Sequence, residues 1–165
     1  MDKIKPIGID TTGFRILTEV VKKTLNSFPG LDENETIRFE NLEKESGICF
    51  SADNGALIIS ERRSITDHIK QSCQYPFFVV YRIATEREKT KINVQSFLND
   101  LGTWLSGEPI EINGDEYKLE FPELPDGRKI TKITRSNSYG LEPADDGVQD
   151  WILPVTVEYE NEYDL

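Results

Sequence analysis

The sequence predicts an α+β domain in which a mainly antiparallel β-sheet is flanked by two principal α-helices. Two helical patterns are each followed by several short strand patterns, instead of alternating with single strands. The dipeptides Asn54-Gly55, Asn113-Gly114 and Asp126-Gly127 favour tight turns between strands, because their residues accept positive φ. Segregated helices and hairpin-connected strands are typical of the α+β class. With 165 residues and no linker-like stretch, the chain is predicted to form a single domain, 1–165.

The first helix is predicted in "TTGFRILTEVVKKTLNSFPG", residues 11–30. Apolar residues recur there at helical spacing: Phe14, Leu17, Val21, Leu25 and Phe28. Thr11 or Thr12 can act as the N-cap, and the Pro-Gly pair at 29–30 stops the helix. The acidic segment that follows, 31–46, is predicted to be a loop with a short strand around Ile37 and Phe39.

The middle of the chain predicts a hairpin, a central strand and the second helix. Asn54-Gly55 is expected to join two strands of a hairpin. "QYPFFVVYRIA" is apolar on both faces, which is typical of a strand covered above and below. The helix is predicted in "INVQSFLNDLGTWLSGEP", with Asn93 as its cap and Gly107 and Pro109 at its end.

The last third predicts short strands and one long closing strand. "RKITKITRS" alternates, which places Ile130 and Ile133 on opposite faces. In "QDWILPVTVEYENEYDL" the core face is predicted to carry Trp151, Leu153, Val155, Val157 and Tyr159. Pro154 lacks an N–H and is expected at an edge or bulge. The acids after Val157 would discourage uncontrolled pairing at a free edge and leave a charged surface for a specific neighbour.

Composition restricts the classes of partner. Nineteen basic and 30 acidic residues give a formal net charge of −11, which disfavours holding the phosphate backbone of a nucleic acid. No apolar run is long enough to span a bilayer, and the start is too polar for a signal peptide, so a cytoplasmic location is expected. Cys49 and Cys73 are predicted to be small buried thiols in that compartment.

Catalytic, cofactor-binding and metal-binding motifs are not found in the sequence. His68 is the only histidine and lies five residues before Cys73, a poor spacing for facing side chains on one helix. Two cysteines and one histidine do not cluster as zinc ligands, and the glycines form no phosphate-binding loop. We therefore expect no catalytic residue, cofactor or metal, and a protein that is not an enzyme. Arg62 and Arg63, in "SERRS", are either solubilising surface residues or anchors of a subunit interface.

From Ser60 onward the sequence resembles a family of small proteins of tailed bacteriophages. The resemblance rests on "SERRS", "QYPFFVVYR", "KINVQSFLNDLGTWL" and "ITKITRSNSYGLEPADDGVQDWILPVTVEYE". These stretches are similar, in element order and anchor residues, to tail terminators, also filed as tail-completion or minor capsid proteins. The acidic segment 31–46 has no counterpart in that family, and it is interpreted as a group-specific surface toward the neck or sheath.

The resemblance implies a virion structural protein with an α+β fold and no catalytic residues. Tail terminators form hexameric rings that cap the tail tube, stop its polymerisation and join the tail to the neck. The implied partners are further copies of the chain, the tail tube protein and a neck or head-completion protein, with the sheath protein as a further candidate. DNA would pass through the lumen without specific binding, and no membrane is involved. The expected locations are the host cytoplasm during assembly and the tail and neck of the virion.

Opposite charges are expected to join neighbouring subunits of such a ring. The candidate interface residues are Arg62, Arg63, Arg82 and Arg135 against Glu158, Glu160 and Glu162. Within the same class, the alternative is an adaptor between the head connector and the tail. In a different class, an acidic protein of this kind mimics DNA and blocks a nuclease, which would require carboxylates at phosphate spacing.

Overall fold

The structure is a computed structural model that describes residues 5–44, 46–84 and 87–165. It confirms the predicted α+β class, since two helices lie with a mainly antiparallel sheet of eight strands and a separate two-stranded hairpin. The helices are α1 (Thr11–Asn26) and α2 (Glu88–Leu105). The strands are β1 (Gly8–Ile9), β2 (Ile37–Phe39), β3 (Gly47–Ala52), β4 (Leu57–Arg63), β5 (His68–Ile83), β6 (Ile110–Ile112), β7 (Asp115–Tyr117), β8 (Arg128–Arg135), β9 (Tyr139–Gly140) and β10 (Gln149–Asp164).

The strands β5 and β10 form the centre of the sheet. They pair antiparallel along all 16 of their residues, from His68 opposite Asp164 to Ile83 opposite Gln149. On the other side of β5, β4 pairs with its first half and β3 with its second half. The outer neighbour of β4 is β1, and the outer neighbour of β3 is β2. On the other side of β10 lie β8 and β9. The predicted central position of "QYPFFVVYRIA" is confirmed.

Helix α1 begins at Thr11, the start of the predicted segment, and ends at Asn26, before the Pro-Gly pair expected to stop it. Its N-cap is Asp10, whose carboxylate accepts a hydrogen bond from the Gly13 amide at 2.9 Å, so the expectation of a Thr11 or Thr12 cap is wrong. Asn26 ends the helix and fixes the next strand. Its side-chain amide donates to the Ile37 carbonyl at 2.9 Å, and its side-chain oxygen accepts from the Ile37 amide at 2.8 Å. The short strand expected around Ile37 is thereby confirmed and held to α1.

Helix α2 begins at Glu88 and not at the predicted cap Asn93, so charged residues before the predicted segment form its first turn. Helical spacing continues through charged residues because their side chains stay in solvent while Val94 and Leu98 reach the core. The predicted end is confirmed. Ser106 caps the helix, and Gly107 follows with φ 87°, a left-handed conformation that favours glycine.

Both helices cover the same face of the sheet. The core between them and the sheet includes Leu17, Leu25, Tyr75, Phe77, Val79, Leu98, Leu101, Leu153, Val155, Val157 and Tyr159. These β5 and β10 residues are the odd-numbered positions, so the predicted core face of the closing strand is confirmed for Leu153 to Tyr159. Trp151, at the start of that face, is only partly buried. The even-numbered positions form the opposite face, which neither helix covers.

Asn54 and Gly55 form a tight turn, with φ of 68° and 74°. The expectation that this turn closes a hairpin is wrong, because β3 and β4 do not pair with each other. Both pair with β5 and follow one another along its side. This arrangement is possible because β5, with 16 residues, is long enough to accept two consecutive partners.

Each central strand carries a proline opposite a break in its outer neighbour. The Pro76 carbonyl accepts from the Asp53 amide, between β3 and β4, and the Pro154 carbonyl accepts from the Ser136 amide, between β8 and β9. In an antiparallel strand the N–H and C=O of a residue face the same neighbour, so the missing N–H of each proline also faces the break. The prediction that Pro154 lies at an edge or bulge is therefore wrong, because β10 is central and the bulge in its pairing with β8 lies at Glu158 and Tyr159; the proline is tolerated because its missing N–H faces a break in the neighbouring strands.

Two sequence expectations about the last strands are wrong. Ile130 and Ile133 do not lie on opposite faces, because a bulge at Thr131 shifts the register of β8 against β10 and buries both isoleucines. The closing strand does not offer a free edge, because β10 pairs with β5 on one side and with β8 and β9 on the other. Its acids after Val157 are accommodated because their side chains lie on the uncovered face, open to solvent.

Candidate functional site: the open face and the two ends of the sheet

The uncovered side of β5 and β10, here called the open face, changes character along the strands. The cross-strand pairs are Arg82–Asp150, Val80–Ile152, Phe78–Pro154, Pro76–Thr156, Gln74–Glu158, Ser72–Glu160, Lys70–Glu162 and His68–Asp164. Apolar pairs occupy the middle, and charged pairs occupy both ends. Side chains directly opposite each other in an antiparallel pair are in contact distance, so each charged pair can neutralise itself within the chain.

One end of the open face is a network of alternating charges. His68 Nδ1 lies 2.7 Å from Asp164 Oδ1, and His68 Nε2 lies 3.4 Å from Glu162 Oε2. Lys70 Nζ lies 3.5 Å from Glu160 and 3.7 Å from Glu162. The hydrogen bond to Asp164 is the main cause that raises the pKa of His68 above its usual value. The network therefore becomes more favourable when the imidazole is protonated.

The other end of the open face borders a cleft. Arg82 makes a bidentate pair with Asp150, at 2.7 and 2.9 Å, and also donates to the Glu43 carbonyl. The hydrogen bonds that Arg82 donates to Asp150 raise the pKa of Arg82. The cleft has a volume of about 520 Å³ and lies between the acidic segment and the last residues of β5. Its walls include Glu35, Glu43, Ile48, Tyr81 and Ile83.

The turn between β4 and β5, here called the hairpin tip (64–67), is closely hydrogen-bonded. The Asp67 amide donates to the Ser64 carbonyl at 3.1 Å, and the His68 amide donates to Ser64 Oγ at 3.0 Å. Arg63 pairs with Asp67 at 2.7 Å, and the Leu165 amide donates to the Asp67 carbonyl at 3.0 Å. Ile65 stands out of this turn with a relative exposure of 104%.

The structure separates the four arginines predicted to form a subunit interface into three places. Arg62 and Arg63 lie at the exposed end of β4, with Arg62 in register with Lys70 on the open face. Arg82 is bound to Asp150, as described above. Arg135 lies on the helix side, where it donates to Thr103 Oγ1 at 3.0 Å and packs over Gly102 of α2. Their use between subunits stays a prediction, and Arg82 and Arg135 have intrachain roles.

The predicted acidic partners follow the open face of β10. Glu160 and Glu162 lie near Lys70, and Glu158 is in register with Gln74 on β5 and with Lys132 on β8. The carboxylates are thus interleaved with cations of the neighbouring strands. A mimic of DNA would present a row of carboxylates without intervening positive charges, so this surface does not favour that alternative.

A buried polar cluster under the start of α1 was missed by the sequence reasoning. Arg128 makes a bidentate pair with Asp10 at 2.7 and 3.0 Å, and the Tyr159 hydroxyl donates to the same carboxylate at 2.8 Å. Burial alone would raise the pKa of Asp10, but the hydrogen bonds from Arg128, Gly13 and Tyr159 outweigh it and lower the pKa. A Cβ at residue 13 would overlap the Asp10 carboxylate, so glycine is required there. The cluster joins α1, β8 and β10.

Sequence separation explains why this cluster was missed. Asp10 and Arg128 are 118 residues apart, and no spacing rule connects them. The one local signal was an aspartate immediately before the helical pattern, which is a preferred N-cap residue. Because every oxygen of the carboxylate is bonded within the chain, the arrangement supports a structural role.

The two cysteines and His68 do not form a site. Cys73 and His68 lie on opposite faces of β5, since five residues separate them on a regular strand. Cys49 and Cys73 are both buried and free, and burial raises the pKa of Cys73 to about 11. In the described ranges, no group of three or more His, Cys, Asp or Glu side chains is arranged to hold a metal ion.

Two comparisons bear on identity. No protein-family model and no curated protein matches the chain.

Neither α1 nor α2, the helices of the described segments, is long and apolar enough to cross a membrane.

Proposed function

We propose that this protein is a tail terminator of a tailed phage or a phage-tail-like particle. In this proposal, six copies form a ring that caps the tail tube, ends its polymerisation and joins it to the neck. The α+β fold agrees with what the sequence resemblance implies. The ring carries out no chemistry, and its specificity lies in the surfaces through which the copies contact each other and the tube.

The observation that carries the proposal is the difference between the two outer edges of the sheet. On one side, β1 covers only the start of β4, and the exposed residues Ser60–Arg63 continue beyond it. On the other side, within the described ranges, β8 has only an isolated bridge between Glu123 and Lys129. A ring needs two unlike surfaces on each subunit, and free strand edges supply backbone donors and acceptors for them.

The charge of the chain fits a ring around DNA. With a formal net charge of −11, the lining of a lumen would repel phosphate rather than bind it. Such repulsion acts over about 8 Å at physiological salt, so it keeps the passing DNA off the wall without affecting contacts elsewhere.

The neck adaptor is the alternative within this class, and it differs in which partner the ring contacts.

Assembly of the purified protein tests the proposal. Mass photometry and electron microscopy over a range of concentrations, with and without purified tail tubes, should show rings of six copies and binding at one end of each tube. Addition of the protein during tube growth should halt elongation. Protein that stays monomeric under all these conditions would contradict the proposal, and rings that bind the head connector but not tubes would favour the adaptor.

A charge reversal tests the role of β4 in the ring. Arg62→Glu should weaken ring formation and leave the fold intact, because the side chain is exposed on β4. The matched control is Lys23→Glu, the same charge change at an exposed position of α1 that is not part of the cleft wall. Equal ring formation by both variants would remove Arg62 from the interface. Arg63 is less suitable for this test, because it holds Asp67 within the same turn.

A further inference from the structure

The hairpin tip holds the apolar side chain of Ile65 in solvent, and its hydrogen bonds limit the motions that could bury that side chain. Ile65 is fully exposed, whereas the residues on both sides of it are fixed by hydrogen bonds from Ser64, Thr66 and Asp67. The chain from Asp164 to Leu165 packs beside the same turn, with Leu165 70% exposed. A preorganised apolar group loses little conformational entropy when it is buried by a partner, which is a property of binding anchors.

The cleft lies at the opposite end of the same strand. The hairpin tip precedes the first residue of β5, and Tyr81 to Ala84, at the end of β5, line the cleft. A strand of 16 residues is roughly 50 Å long, so one chain cannot place its own tip in its own cleft. The two features can meet only between different copies.

The cleft combines apolar surface with charged groups of both signs, since Glu35, Glu43, Arg38 and Arg82 all line it, and Arg82 is already bound to Asp150. Its volume of about 520 Å³ accommodates several side chains, and Ile48, Ile83 and the Tyr81 ring contribute apolar surface. Between residues 31 and 44, the segment beside it carries five acids and two bases. The strand that leads into the hairpin tip ends with Arg62 and Arg63.

We propose that the hairpin tip of one copy inserts Ile65 into the cleft of the next copy, with Arg62 facing the acids of the 31–44 segment. The inference rests on the proposed ring and names the contact that closes it. The contact joins two different surfaces, so it is head-to-tail, and repetition of such a contact gives a closed ring when the rotation between copies closes. It also gives the acidic segment, which the resemblance did not explain, a role between subunits.

Removal of the apolar anchor tests the contact. Ile65→Ser should raise the concentration needed for half-maximal ring formation by about tenfold or more, because the buried apolar area of the contact is lost. The matched control is Ile92→Ser, at an isoleucine of α2 that is 56% exposed and is not part of the cleft wall. Circular dichroism and thermal melting of both variants should equal those of the wild type.

Cross-linking tests whether the hairpin tip of one copy contacts the cleft of another. A chain with both Ile65→Cys and Asn41→Cys, the latter at an exposed wall residue of the cleft, should form disulfide-linked oligomers under mild oxidation. The native Cys49 and Cys73 are buried and should not contribute. A chain with Ile92→Cys and Asn41→Cys is the control and should stay uncrosslinked.

The charge pair is tested by Arg62→Glu, whose defect in ring formation should be reduced by Glu43→Arg in the same chain.

The outcomes separate this inference from the proposed function. If the Ile65→Ser variant forms rings as readily as the wild type, and the double-cysteine chain forms no cross-link, the tip-in-cleft contact is overturned. The ring proposal would still stand. A wild-type protein that forms no assembly at any concentration, alone or with tubes, would overturn both. Loss of rings in Ile65→Ser but not in Ile92→Ser, together with the cross-link, is the expected result.

Discussion

The two faces of the β5–β10 pair use the same backbone for different purposes. On the helix-covered face, Tyr75, Phe77, Val79 and their partners on β10 are almost completely buried. On the open face, the alternate residues of the same strands carry an apolar centre between charged ends. The comparison indicates that the register places the helix-packed residues on one face, whereas most side chains of the other face keep contact with solvent; Ile152, at 9% exposure, is the exception.

The charged groups of the two faces differ in the same way. Asp10 and Arg128 form a buried pair at the covered face, with side chains 6% and 7% exposed. The Lys70 pairs lie on the open face, where the lysine side chain is 46% exposed. A buried pair is costly to break because it leaves an uncompensated charge, whereas an exposed pair contributes little. Breaking the buried pair should therefore lower the free energy of unfolding much more than breaking a pair on the open face.

The strongest test of the comparison uses two neighbouring phenylalanines. Phe77→Ala, on the covered face, should lower the free energy of unfolding by about 3–5 kcal/mol, because it leaves a cavity in the core. Phe78→Ala, on the open face, should lower it by less than about half of that, because Phe78 is already partly exposed. Urea unfolding followed by fluorescence measures both. Equal losses would show that the open face is packed as tightly as the core.

The buried pair gives the next largest effect. Arg128→Met should destabilise the protein by about 3–5 kcal/mol at pH 7, because Asp10 would remain buried without its main cationic partner. The control is Lys129→Met, at the next residue of β8, which is exposed and should change the stability by less than about 0.5 kcal/mol.

The pH dependence of the Arg128→Met defect has a definite sign. In the wild type the folded pKa of Asp10 lies below 3.8, so its stabilising contribution is present above 3.8 and is lost as the pH falls through the folded pKa. Without Arg128, burial should raise the pKa of Asp10, and protonation would then relieve the buried charge. The difference in stability between variant and wild type should therefore narrow as the pH is lowered. A difference that widens would contradict this account.

The exposed pairs should have a small effect. Lys70→Met should lower the free energy of unfolding by about 1 kcal/mol or less, since both partners are accessible to water and salt. The loss should shrink further when the unfolding experiment is repeated at 1 M salt, because the pair is screened. A loss of several kcal/mol, or one that is independent of salt, would place Lys70 with the buried groups.

The smallest expected effect is the titration of His68, the only histidine of the chain. Its NMR signal should titrate with a midpoint above 6.5, and Asp164→Asn should lower that midpoint, because the hydrogen bond to Asp164 is the main cause of the raised pKa. Asp145→Asn, at an exposed loop residue, is the control. Because the folded pKa is raised, the contribution to stability is fully present below about 6.5 and is lost as the pH rises through the folded pKa.

The sequence was sufficient for features that depend on local patterns. The apolar spacing located α1 and the body of α2, and the two-sided apolar run identified β5 as a central strand. The positive φ values at Asn113-Gly114 and Asp126-Gly127 follow from the turn chemistry of those dipeptides. The fold class follows from the order of these elements.

Features that depend on long-range pairing were not predictable in this way. The bulge at Thr131 reverses the alternation of β8, and only the register against β10 shows it. The turn at Asn54-Gly55 has the local form of a hairpin, yet its two strands share β5 as partner. The intrachain partners of Arg82 and Arg135 come from elements 68 and 32 residues away. The predicted interface set was drawn from charge alone, without these contacts.

The central position of β10 also has a consequence for how the chain folds. The whole segment 84–148 lies between β5 and β10, so their pairing is strongly non-local and is expected to be slow. Until β10 arrives, one edge of β5 is unpaired along an apolar run from Tyr75 to Val80. Such an edge promotes aggregation of folding intermediates. Refolding yield should therefore fall as the protein concentration rises, and a synthetic peptide covering 149–164 should inhibit refolding by occupying β5.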